Sequence, residues 1–124
     1  MRIILITPAP PRSKAGNRAT AVRWAQHLRA LRHRVDIAVD YDGRQYDAMI
    51  ALHAWRSRAA VETFRARYPQ RPLILALTGT DLYRFLDSDR ASTLRSMELA
   101  DRLIVLHALA HEVLPQSLHA KVRL

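Results

Sequence analysis

The sequence predicts an α/β fold: a mostly parallel sheet with helices on both faces, joined by right-handed crossovers. Two observations carry that expectation. Short runs rich in Ile, Leu and Val recur along the chain, and helical apolar stripes lie between them. The runs are RIILIT (2–7), RVDIAV (34–39), DAMIALH (47–53), PLILALT (72–78) and DRLIVLH (101–107). Three of the five are apolar on successive residues, the pattern of strands covered on both faces.

The first run leads into a loop from Thr7 to Asn17 that holds three prolines and a glycine. Its length is roughly twice the usual strand-to-helix connection in such folds. Extra length at the carboxyl end of a strand marks a site. The helix that follows carries the stripe Ala21, Trp24, Ala25, Leu28 and Leu31, with Asn17 as its predicted N-cap. Between the second and third runs, DYDGRQY (40–46) is too short for a crossover helix. Either a loop returns across the sheet or one strand is antiparallel, and both readings stand at this point. Val61, Phe64 and Tyr68 form the next stripe, which Pro69 and Pro72 stop, and Ser88 is expected to cap the third helix. The resulting order is β-α-β-β-α-β-α-β-α, and HAKVRL (119–124) reads as the opening of a sixth strand. No internal repeat or low-complexity tract interrupts it.

A chain of 124 residues makes a single domain over 1–124, and a hydrophobic fraction of 49% is that of a globular protein. The absence of cysteine excludes disulfides and thiolate metal sites. Pro8 breaks the apolar start within a few residues, far short of a signal-peptide core or a membrane span, so a cytoplasmic protein with no membrane partner is expected. The net charge is +9, and apart from Lys14 and Lys121 every basic residue is Arg. Such a balance attracts phosphate groups. Arg23, Arg29, Arg32, Arg58, Arg65 and Arg67 recur beside apolar helix positions without a dense run or interleaved aromatics, and are read as mostly solvated helix faces.

In parallel sheets ligands bind outside the carboxyl ends of the strands. There the sequence places Arg12, Lys14, Gly16, Asn17 and Arg18 after the first strand, HAWRS with His53 and Arg56 after the third, TGTDLYR after the fourth, and His107 after the fifth. Gly16 would let backbone N–H groups approach a phosphate at a helix N-terminus, and Arg18 adds a fork of fixed donors. Thr78, Gly79 and Thr80 offer hydroxyls and a close-approach backbone, Asp81 could accept from a sugar hydroxyl or orient an arginine, and Arg84 follows. Plainer readings stand beside these. His53 and His107 could be hydrogen-bonded strand-end residues, and Asp81 could cap the helical turn after it. There is no G-x-G-x-x-G, no P-loop and no H-E-x-x-H, so dinucleotide, ATP or metal binding by those routes is not expected.

Taken together, ITPAPPRSKAGNRATAVRWAQHLRALRHRV, ALHAWRS, LTGTDLYR and ADRLIVLHALAHEVLP resemble the N-terminal half of the selenosugar synthases of selenoneine biosynthesis, members of glycosyltransferase family 4 of the GT-B enzymes. The resemblance covers essentially the whole chain. More distantly, His53–Ala54 resembles the HAH element of family 4, TGTD (78–81) its HGTD element with Thr78 in place of His, and ADRLIVL its ADRVIAVS strand. The resemblance implies a Rossmann-like GT-B N-terminal domain on the acceptor side of a cleft. Its enzyme would move a sugar from a UDP-sugar co-substrate, with no other cofactor, to a phosphorylated acceptor, selenophosphate in the selenosugar synthases. It also implies that the donor-gripping elements belong to a C-terminal domain absent from this sequence. The chain alone is then expected to be inactive and to pair as a homodimer through an unfinished sheet edge. A reading of another class is a non-catalytic α/β module that binds nucleic acid or an acidic partner through its basic surface. Against it, and against any nucleic-acid partner, stands the lack of aromatic interleaving and of a recognisable motif.

Overall fold

In a computed structural model, which describes residues 1–10, 16–79, 81–105 and 110–123, the chain forms one six-stranded sheet in the order β2-β1-β3-β4-β5-β6. The strands are β1 (Arg2–Ile6), β2 (Arg34–Ala38), β3 (Ala48–Leu52), β4 (Leu73–Leu77), β5 (Arg102–Val105) and β6 (Val122–Arg123). Every neighbouring pair is parallel. The helices are α1 (Gly16–Ala30), α2 (Arg58–Arg67), α3 (Leu86–Ser88), α4 (Arg90–Leu99) and α5 (Ala110–Val113), with a π-helical turn at Asp81–Phe85 and a 3₁₀ turn at Gln116–Lys121. The fold is Rossmann-like α/β. Among the described residues no helix is long and apolar enough to cross a membrane.

Alternation along each strand builds two cores. Ile4, Ile6, Met49, Ala51, Leu73, Leu75, Leu77, Leu103 and Val105 face α2 and α4, meeting Val61, Phe64 and Met97. Ile3, Leu5, Val35, Ala48, Ile50, Leu52 and Ala76 face α1, meeting Ala21 and Ala25. A fully buried Phe64 or Leu75 contributes about 1.5–3 kcal/mol. The chain steps one way from β1 to β2 and the other way at every later step. Right-handed crossovers therefore put α1 on one face and the later connections on the opposite one.

The β2–β3 connection settles the alternative left open by DYDGRQY. β3 is parallel to β1, from Ile3↔Ala48 to Ile6↔Ala51, so residues 39–47 return across the sheet without a helix. Two tyrosines do a helix's work there. Tyr46 is buried against the α2-side core, and its hydroxyl donates to Asp36 Oδ2 at 2.6 Å. Tyr41 packs on the same core, with its ring 5.6 Å from Phe64 and 6.5 Å from Tyr46. Burial and the Asp36 bond push the Tyr46 phenol up to about 12. Between the tyrosines, Asp42, Gly43 (φ 90°) and Arg44 make a turn in which the Asp42 carboxylate accepts from Arg44 N and Nε.

Several helix ends differ from expectation. Asn17 lies inside the first turn of α1, which opens at Gly16, so it is not the cap. The cap of α4 is Asp89 and not Ser88, which closes α3. Asp89 has the non-helical backbone a cap needs (φ −146°), and its carboxylate accepts from Ser92 N. Leu31 falls off the apolar stripe and is 69% exposed because α1 has already ended. Arg32 N donates to Arg29 O and His33 N to Leu28 O, a Schellman closure that holds Arg32 at φ 70° where glycine is usual. Pro69 follows the end of α2 as expected. At the end of α4, Lys121 Nζ donates to the carbonyls of Met97, Glu98 and Ala100, placing a cation on the negative end of the helix and fixing the approach to β6.

Arg65 overturns its assignment to a solvated face. Its guanidinium bonds Leu99 O, Pro69 O, Arg71 O and Asp101 Oδ2, and the side chain is 14% exposed. Arg29 stays exposed, as read, while donating to Val35 O at 2.7 Å.

Candidate functional site

All strands being parallel, their carboxyl ends gather on one edge, where β1, β3 and β4 bring the ends near Thr7, His53 and Thr78 together. The two central loops there are built as a single piece. β3 hands over to His53, whose N–H continues the sheet by donating to Ala76 O at 2.9 Å. His53 then turns to φ 78°, a left-handed conformation costly for a residue with a side chain. Its ring helps hold the turn, with Nδ1 accepting from Arg56 N at 3.0 Å, while Ser57 N donates to His53 O and Ser57 Oγ to Leu52 O.

The β4 loop is tied to this turn by Asp81. Its carboxylate is fully buried and accepts from Ala54 N at 3.0 Å, Thr78 N at 3.1 Å and Gly79 N at 2.9 Å. Gly79 takes φ 125°, a conformation that side chains rarely adopt, so that its amide can turn inward. From Asp81 the chain continues as a π-helical turn, a rare element frequently found at functional sites. The turn delivers Phe85 to the loop after β3. The Phe85 ring lies edge-on to His53 at 5.5 Å and stacks flat on Trp55 at 4.1 Å. Arg58 sits 4.0 Å from the Trp55 ring centre, and Trp55 Nε1 donates to Asp89 Oδ2 at 2.9 Å. That bond, first among its causes, holds the Asp89 carboxyl below its ordinary range.

The predicted site residues fall into three groups. Arg56 and Arg84 are exposed cations, 5.9 and 5.2 Å from the Phe85 ring centre. Gly16, Asn17 and Arg18 open α1 on the same edge. Gly16 is exposed, and a side chain there would meet nothing within 4 Å among the described residues. Arg18 is half-buried, and its Nε is shielded from solvent with no hydrogen-bond partner among the described residues. The third group holds the scaffold together. His53 and Asp81 are buried, and the amides of half-buried Thr78 and Gly79 are directed to Asp81 and not outward. Asp81 therefore acts first as a clamp between loops, closer to its plainer reading than to a sugar ligand. Thr80, Arg12, Lys14 and His107 lie outside the described residues. Sequence reasoning missed Trp55, Phe85 and Asp89. The one signal for them was a tryptophan inside HAWRS, among small and basic residues.

Burial lowers the His53 pKa below its ordinary 6.5; the Asp81 carboxylate works against the shift and Arg56 with it. The neutral ring, accepting at Nδ1, carries its proton on Nε2. A depressed histidine contributes stability that is complete above its unfolded pKa and is lost as pH falls below it, because the unfolded chain takes the proton first. Stability is thus expected to decline below about pH 6.5. His53→Asn, which keeps a residue tolerant of positive φ, should flatten that decline. Urea titrations of both proteins between about pH 5 and 8 check this, and equal slopes would remove His53 from the account.

The rim thus sets exposed guanidinium groups beside a rigid buried frame, and such groups can hold a small anion. Compared with known proteins, the chain matches no family model, and no curated protein shows significant similarity to it.

Proposed function

We propose that this chain is the acceptor-side domain of a GT-B glycosyltransferase that moves a sugar from a UDP-sugar to a phosphorylated acceptor. Selenophosphate is the acceptor indicated by the resemblance to selenosugar synthases. One observation supports the reading most: the two motifs that carry the resemblance, HAWRS and TGTDLYR, are joined through Asp81 into one unit at the carboxyl edge of the sheet, with Arg56 and Arg84 exposed. The departing UDP and the acceptor are both anionic, and guanidinium forks stabilise such charge. On this reading the chain shapes the acceptor wall, and the donor is gripped by a second domain, without which transfer is not expected.

The test is binding of the acceptor-like anion. Titrating the protein with phosphate should shift the amides of residues 16–18 and 53–57, with a Kd on the order of millimolar because a small ion offers few contacts. Arg18→Ala should weaken binding by about tenfold, the loss of one charge-assisted fork. Shifts scattered over the helical arginines, with Arg18→Ala silent, would reduce the positive charge to a solvated surface and end the acceptor reading.

A further inference from the structure

A second concentration of cationic and aromatic groups lies at the other end of the molecule. α2 runs back along the sheet, so the segment from its last turn to β4 sits at the amino-terminal edge of the strands, opposite the loops described above. Here Arg67, Tyr68, Pro69, Gln70 and Arg71 line an open cavity of about 350 Å³. That volume falls within the roughly 300–1,000 Å³ of small-ligand sites, and no carboxylate is among the lining residues.

The geometry of the two arginines differs in a useful way. Arg71 lies over the Tyr68 ring at 4.0 Å, its Nη1 donates to Tyr46 O at 2.6 Å, and its carbonyl accepts from Arg65. The guanidinium is therefore pinned as a flat plate, backed on one side by an aromatic ring. Tyr68 itself packs against Phe64, with ring centroids 5.3 Å apart. Arg67 is exposed and bound through Nε to the Tyr68 hydroxyl at 3.1 Å, which orients the group at the cavity's edge. Gln70, also exposed, adds a side chain that both donates and accepts.

A pinned guanidinium plate accepts a planar heteroaromatic ring by stacking, and an exposed arginine beside it accepts a phosphate. We propose that this cavity binds a nucleotide, its base stacked on Arg71 and its phosphate at Arg67. The nucleotide is either a free monophosphate or one unit of a single-stranded nucleic acid. All five lining residues come from one short segment, and the bond from Arg71 to Tyr46 O fixes that segment against the edge of the sheet. The site is separate from the rim and does not depend on the glycosyl-transfer reading.

Amide chemical-shift titrations with adenosine monophosphate, adenosine and phosphate test it. The monophosphate should shift residues 67–71 with a Kd on the order of millimolar, and adenosine or phosphate alone should bind there about tenfold more weakly. Arg71→Lys keeps the charge and removes the plate, so it should weaken the monophosphate about fivefold while leaving phosphate unchanged. Arg67→Gln, at an exposed position, should weaken both. A single-stranded oligoadenylate that binds at least tenfold tighter than the monophosphate, with a steep salt dependence, identifies the nucleic acid as the source, and equal affinity identifies the free nucleotide. Monophosphate shifts confined to the opposite rim, or phosphate binding at 67–71 as tight as the monophosphate, overturn the proposal.

Discussion

Asp81→Ala is expected to lower the unfolding free energy by about 4 kcal/mol. The carboxylate accepts from three backbone N–H groups at 2.9–3.1 Å, and one of them, on Ala54, is fully buried. Each donor left unsatisfied away from water costs about 1–3 kcal/mol. Against a total stability of about 5–15 kcal/mol that is a large share. Asp81→Asn should cost nearly as much despite its similar shape, since its NH₂ would face donors in place of one acceptor. Urea denaturation with an unchanged m-value measures both. A loss under about 1 kcal/mol would mean that solvent replaces the carboxylate and that the two loops are not held by it.

Arg65→Ala ranks next, at about 3 kcal/mol, for a different reason. The guanidinium closes four acceptors from three places: Leu99 O at the end of α4, Pro69 O and Arg71 O after α2, and the carboxylate of Asp101 before β5. Bonds to a charged donor contribute about 1.5–3 kcal/mol each in isolation, reduced here because Asp101 is half exposed. Burial raises the Asp101 pKa, but the Leu73 N–H and Arg65 outweigh it and hold the carboxyl below its ordinary range. The part due to that ion pair is thus present at neutral pH and is lost only as pH falls through the lowered value. Arg65→Lys should recover less than half, because one ammonium cannot span the fork. Three of the four acceptors are carbonyls, so the loss should persist at about 1 M salt. If it vanishes there, Arg65 is only a surface ion pair.

The strands were legible because a buried parallel strand has a simple signature: LILAL within PLILALT and AMIAL within DAMIALH are apolar at every position, and both became central strands. The β2–β3 connection was not, since a nine-residue return (39–47) and an antiparallel hairpin look alike until the pairing partner is known. The cap of α4 failed by one position for a related reason. Ser88 and Asp89 are both capping types, and the choice lies in the backbone angle, not in composition. At the site, sequence reasoning found the loops but not the buried bonds that join them. Asp81 was legible as a polar residue in the right place, yet that its carboxylate faces three amides depends on contacts up to 27 residues away. The Trp55–Phe85 stack and the Arg65 network are likewise contacts between separate elements, which no local pattern encodes.

The helix-free crossover bears on where this chain can be lengthened. A strand-to-strand return normally resists insertion only at its ends, where it joins the sheet, but here Tyr41 and Tyr46 anchor the middle as well. What remains free is the turn between them, where Asp42 and Arg44 are exposed and Gly43 has open space around its Cα. A foreign segment spliced after Gly43 disturbs the Asp42–Arg44 contacts and the bond from the Tyr41 hydroxyl to Arg44 O, all exposed, while both tyrosines stay seated on the core. Spliced a few residues later, next to Tyr46, the same segment would pull out the ring that closes this face of the sheet. The permissive point for a tag, a reporter or a new chain terminus is therefore three residues wide, bounded on both sides by a tyrosine seated on the core.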